Sequence, residues 1–71
     1  MPNCYSSKYI VKVLQKNNFE FISQKGSHQK FKKPGDPNLM VIVPANKKAI
    51  PYGTFRAILL QSELSEYDFK K

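Results

Sequence analysis

Cysteine, histidine and acidic residues are all scarce in this 71-residue chain, and each scarcity excludes something. The lone cysteine, Cys4, cannot form an intramolecular disulfide or build a cysteine-based metal site, which suits a reducing compartment such as the cytoplasm. Cys4 itself reads as a small residue in a loose lead-in. No apolar run approaches the roughly 20 residues that span a bilayer. Nor does a basic start pass into an apolar core as a secretory leader would. The expectation is a cytoplasmic chain with no membrane contact. Repeats, low-complexity tracts and internal linkers are absent as well. The length fits one domain over residues 1–71, with 1–5 and 66–71 as loose ends. Domains this small bury only about 60% of their unfolded surface. A bound partner, a homo-oligomer, or both would help hold one together.

The shortage of acid is uneven. Twelve lysines and arginines face five acids, for a net charge of +7, and three of those acids (Glu63, Glu66 and Asp68) fall near the end. Setting Lys70 and Lys71 aside, residues 1–62 carry ten bases against two acids. Lysines can serve solubility alone, but Lys25, Lys30, Lys32 and Lys33 crowd around the single histidine, His28. That clustering points to phosphate or an acidic protein as the partner.

Along the chain, Ser6 or Ser7 can cap a helix running to about Asn17, with Ile10, Val13 and Leu14 at helical spacing. Asn17-Asn18 tolerates the left-handed conformation that closes helices. Phe19 to Lys25 predicts a strand with Phe19 and Phe21 on one face and Glu20, Ile22 and Gln24 on the other. After a Gly26-Ser27 turn, residues 27–33 predict a second strand. Alternation places His28, Lys30 and Lys32 on one face and Gln29, Phe31 and Lys33 on the other. Residues 34–38 are dense in turn formers. Leu39 to Val43 is the most strand-like run, expected to sit centrally or under helices, and Pro44 ends it. A basic loop over 45–50 leads to Pro51, which suits a helix start. That helix should reach about Ser62 with Phe55, Ile58 and Leu59 inward. Ser65 to Asp68 reads weakly as a final capped turn. Phe19, Phe21, Phe31 and Phe55 are expected in the core, and Tyr52 is the aromatic kept for an outward contact.

His28 is the natural centre for any acid–base chemistry, because an imidazole titrates near 6.5 and both takes and gives protons at neutral pH. A lone histidine is nevertheless more often incidental than catalytic. Around it stands a wider pattern: Gly26-Ser27-His28, then Lys30-Phe31, a valine-rich strand closing at Pro44, and Ile50-Pro51-x-Gly53-Thr54-Phe55-Arg56-x-Ile58-Leu59. Over roughly residues 6–65 this resembles the HicA family, the toxin half of HicAB toxin–antitoxin systems. The resemblance implies an α+β domain of order α-β-β-β-α, its three-stranded antiparallel sheet packed by two helices, similar to a double-stranded RNA-binding domain. It implies a metal-independent endoribonuclease acting on mRNA (an mRNA interferase), needing no cofactor. A cognate HicB-like antitoxin would bind the toxin and cover its site. Many relatives have glycine where this chain has Asn18 and again near Glu63, so a different exit from the second helix is expected.

The resemblance makes His28 the catalytic histidine, as general base, acid or both, and the chemistry of phosphate recognition makes Gly26, Ser27, Lys30, Lys32 and Arg56 candidate RNA and phosphate contacts. Lys30 would bring positive charge to the phosphate or else stand solvated. Arg56 would touch RNA, pair with antitoxin acids, or close its own helix face. A second proton-transfer group is not evident: a lysine, a tyrosine or solvent must complete the pair. The competing function is a non-catalytic module holding double-stranded RNA on the same basic face, since fold alone does not fix function.

Overall fold

The computed structural model describes residues 5–70. Its order is α1 (Ser7–Lys16), β1 (Glu20–Lys25), β2 (His28–Lys33), β3 (Leu39–Pro44), α2 (Tyr52–Ser62) and a short 3-10 turn at Glu66–Phe69. This is the expected α-β-β-β-α arrangement, and its three strands form one antiparallel sheet in the order β1-β2-β3.

Local chemistry sets the element ends. The Ser6 hydroxyl accepts the Tyr9 amide at 3.1 Å and so caps α1. Ile10, Val13 and Leu14 bury one side of that helix. Asn18 then takes φ 72°, the left-handed corner from which the chain turns into β1. Pro51 stands at the N-cap of α2, one position before the first helical residue, where its missing N–H costs nothing. At the other end Glu63 adopts φ 61° and its amide bonds to the Leu59 carbonyl. The expectation of a different exit is therefore corrected. Glutamate occupies the left-handed position that favours glycine, at a local backbone cost.

Both helices cover one face of the sheet. Phe31, Val41 and Val43 point inward to meet Ile10, Leu14, Phe55 and Ile58. Register places Phe21 opposite Phe31 and Gln24 opposite Gln29 on this inner face. Simple alternation had grouped Gln24 with Glu20. A bulge between Phe21 and Ser23 breaks the period and carries Gln24 to the inner side. Phe21, expected in the core, is 50% exposed; it lies at the sheet edge with its ring edge-on to Phe31.

Of the two places expected for the 39–43 strand, central or under helices, the structure takes the second. β3 is an edge strand, not the central one: β2 sits between β1 and β3 despite its five polar positions. Helices cover one face of β3, whereas Met40 and Ile42 on the other remain 41% and 36% exposed. A continuous apolar run marks a strand but not its rank in the sheet. Residues 66–70 are not a loose end either. Asp68 accepts the Ser65 amide at 2.8 Å, closing the final turn and delivering Phe69 into the core at 0% exposure. There its ring meets Tyr5 and Phe55, and its carbonyl accepts the Tyr9 hydroxyl. Tyr5 also stacks on Tyr9, so it belongs to the packed domain. Residues 1–4, with Cys4, and Lys71 lie outside the described residues.

Candidate nucleic-acid interface

β1 and β2 meet in a two-residue hairpin, since Lys25 pairs with His28 and leaves only Gly26 and Ser27 between them. Gly26 takes φ 59° while Ser27 does not join the positive-φ residues, the pattern of a hairpin with glycine first. A Cβ at Gly26 would meet nothing within 4 Å, so backbone conformation and not crowding calls for glycine there. The corner is braced on both sides. Ala45 donates its amide to the Ser27 carbonyl at 2.7 Å, and the Gln24 side-chain amide donates to the Gly26 carbonyl at 2.9 Å. With those carbonyls engaged, the corner is left with its amides and the exposed Ser27 hydroxyl to offer an anion.

His28 follows at once as the first residue of β2, exposed and opposite Pro44. Lys30 and Lys32 share its face, with Lys30 between Ser23 and Ile42 and Lys32 between Glu20 and Met40. Both helices lie on the other side, so this outer face carries an imidazole, two ammonium groups and the exposed side chains of Met40 and Ile42. The predicted alternation of β2 is what the fold realises: Phe31 is buried and His28 faces out. The arrangement can exchange a proton at His28 beside cationic charge within the same strand.

The structure brings Gly26, Ser27, His28, Lys30 and Lys32 onto one hairpin and leaves Arg56 apart. Arg56 lies on α2 across the sheet, its guanidinium 6.0 Å from the ring centroid of Tyr52. Tyr52 in turn donates its hydroxyl to Glu66. Among the described residues, no group of three or more His, Cys, Asp or Glu side chains is placed to hold a metal ion.

Sequence reasoning missed a second feature at the same end of the sheet. A cavity of about 470 Å³ opens on the inner side, lined by Ser6, Ser7, Lys8 and Val11 of the α1 region, Gln24 and Gln29 of the hairpin strands, and residues 45–48. Its wall is pinned by Ser7, which donates its hydroxyl to the Pro44 carbonyl at 2.6 Å and accepts the Lys47 amide at 3.0 Å. The Ser7 amide donates to the Lys47 carbonyl at 2.9 Å. These polar residues come from separate elements and follow no spacing, so only the fold gathers them.

The family model described as HicA toxin of bacterial toxin–antitoxin matches residues 7–64. No curated protein matches the chain.

Proposed function

Because this chain belongs to the HicA toxin family of bacterial toxin–antitoxin systems, we propose that it is a metal-independent endoribonuclease that cuts mRNA through His28. The observation that supports this most is the placement of the sole histidine, exposed beside a braced Gly-Ser corner and on one face with Lys30 and Lys32.

In this reading the RNA backbone lies along the outer face. The His28 imidazole takes the proton of a ribose 2′-OH, whose oxygen attacks the adjoining phosphorus. The bond from phosphorus to the 5′-oxygen breaks, and the leaving oxygen receives its proton from the imidazolium or from water. Proton transfer of this kind is worth about 10²–10⁴ in rate. Lys30 offsets the charge that builds on the phosphoryl oxygens, while the Gly26 and Ser27 amides and the Ser27 hydroxyl orient them. Lys32 holds a neighbouring phosphate. Arg56, across the sheet on Tyr52, serves a more distant contact with RNA or with acids of a partner.

Membership of a toxin family implies a cognate antitoxin. A HicB-like partner with acidic residues would cover the His28 face, setting its carboxylates against Lys30 and Lys32 and its apolar groups against Met40 and Ile42. The proposed place of action is the cytoplasm, where mRNA and antitoxin are found together.

The test compares wild type with His28→Ala on a long unstructured RNA in EDTA, with cleavage and binding read from the same samples. Cleavage by wild type only, with binding kept by both, is the expected result. Equal cleavage by both proteins would remove His28 from the chemistry. Binding without cleavage by either would turn the assignment to a non-catalytic RNA-binding module.

A further inference from the structure

The cavity behind the hairpin has a lining that suits something other than phosphate alone. Three carboxamides, those of Gln24, Gln29 and Asn46, each carry a donor and an acceptor. Val11 and Ala45 supply apolar wall, and Lys8, Lys47 and Lys48 bring positive charge. Its volume of about 470 Å³ lies within the roughly 300–1,000 Å³ of small-molecule sites. Apolar wall with paired donors and acceptors matches the face and edge of a nucleobase, and the lysines match the phosphates on either side of it.

Its position relates it to the proposed reaction centre. Gln24 and Gln29 form the strand pair next to Lys25 and His28, and Ala45 bonds to Ser27, so one hairpin separates cavity and imidazole. His28 faces outward and Gln29 inward, which places the two at the same end of the sheet on opposite sides. Beyond the cavity, Lys8, Lys12 and Lys16 recur every fourth residue on α1, all exposed, and continue the basic track along the helix.

We propose that the cavity holds one base of the RNA, from a nucleotide adjoining the phosphate at the Gly26-Ser27 corner, and thereby sets where the chain cuts. The proposal rests on the ribonuclease reading above and adds to it a specificity site. Gln29 and Asn46 read the edge of the base, while Lys8, Lys47 and Lys48 carry the strand onward to α1. Gln24 acts differently: its amide is already given to Gly26, so it couples the occupied cavity to the corner beside His28.

The experiment titrates the isotopically labelled wild-type chain with AMP, GMP, CMP, UMP and inorganic phosphate, following backbone amides by NMR. Shifts at Gln29, Ala45 and Asn46 are expected with nucleotides and not with phosphate, with affinities that differ at least about threefold among bases. Gln29→Ala and Asn46→Gly should abolish that ranking. Gln29→Leu, which keeps the volume, should do the same in a chain whose spectrum remains dispersed. Cleavage sites mapped on a long RNA should redistribute in these variants. Four indistinguishable nucleotides, or the same shifts from phosphate alone, would overturn the base site. If nucleotides rank but wild type cuts no RNA, the site stands and the ribonuclease assignment falls. If His28-dependent cleavage is found without any ranking, the reverse holds.

Discussion

His28 has its side chain on a solvent-facing sheet surface, so its exchange should affect chemistry without affecting the fold. His28→Ala is expected to lower RNA cleavage at least about 10²-fold and to leave the thermal unfolding midpoint of wild type in place. A destabilised variant would mean that the imidazole serves structure. Lys30 differs in kind, because charge near a phosphate acts through counterions as well as through the transition state. Lys30→Ala should reduce the dependence of log affinity on log salt by about 0.7, the contribution of one phosphate on a single strand, whereas His28→Ala should leave that slope near the wild-type value. Binding by filter retention at several salt concentrations reads both. The outward direction of His28 and Lys30 was legible in the sequence because Phe31 fixes the inward set of β2 and a two-residue period does the rest. Arg56 was not legible in this way. Nothing in the Pro51–Leu59 motif tells that α2 would carry it across the sheet from the histidine.

Elements were recoverable wherever a cap or a break accompanied the period. Ser6, Asn18 and Pro51 each mark an end that the backbone respects. The bulge after Phe21 left no such mark, because Ile22 and Ser23 are both acceptable strand residues and the extra residue shows only in the pairing. Phe69 was hidden for another reason: it follows a single short turn, too brief to display any periodicity. Its energetic role is nonetheless large. Phe69→Ala should cost about 3–5 kcal/mol, a large part of the stability of a small domain, and thermal or urea unfolding should show it. An unchanged midpoint would mean that the final turn does not hold the core. Glu63 offers the opposite case. An L-residue held at a left-handed φ costs about 1–2 kcal/mol, so Glu63→Gly should raise stability by a similar or somewhat smaller amount in the same experiment.

For the molecule as a whole, the uneven placement of charge should dominate association. If Lys8, Lys30, Lys32, Lys47 and Lys48 each neutralise one phosphate, log affinity for single-stranded RNA should fall against log salt with a slope of about −3.5. A slope of about −1.4, that of Lys30 and Lys32 alone, would confine the RNA to the hairpin and remove the track over α1. The fold class could be reached from the sequence because five successive elements each announce themselves locally. The cavity could not, since it exists only once α1, the hairpin and the loop after β3 have come together.

The burial of Phe69 also bears on timing. The hairpin that carries His28 is complete once Lys33 has been made, but the aromatic cluster of Tyr5, Phe55 and Phe69 must wait for thirty-six more residues. At about 5–20 residues per second of synthesis, the interval is roughly two to seven seconds. Through that interval a growing chain holds the His28 hairpin without the packing that would keep it in shape. On the ribonuclease reading proposed above, a polypeptide still tethered to its ribosome would not yet have a competent site with which to attack the message being read. On that reading, cleavage would begin only after translation has passed Phe69.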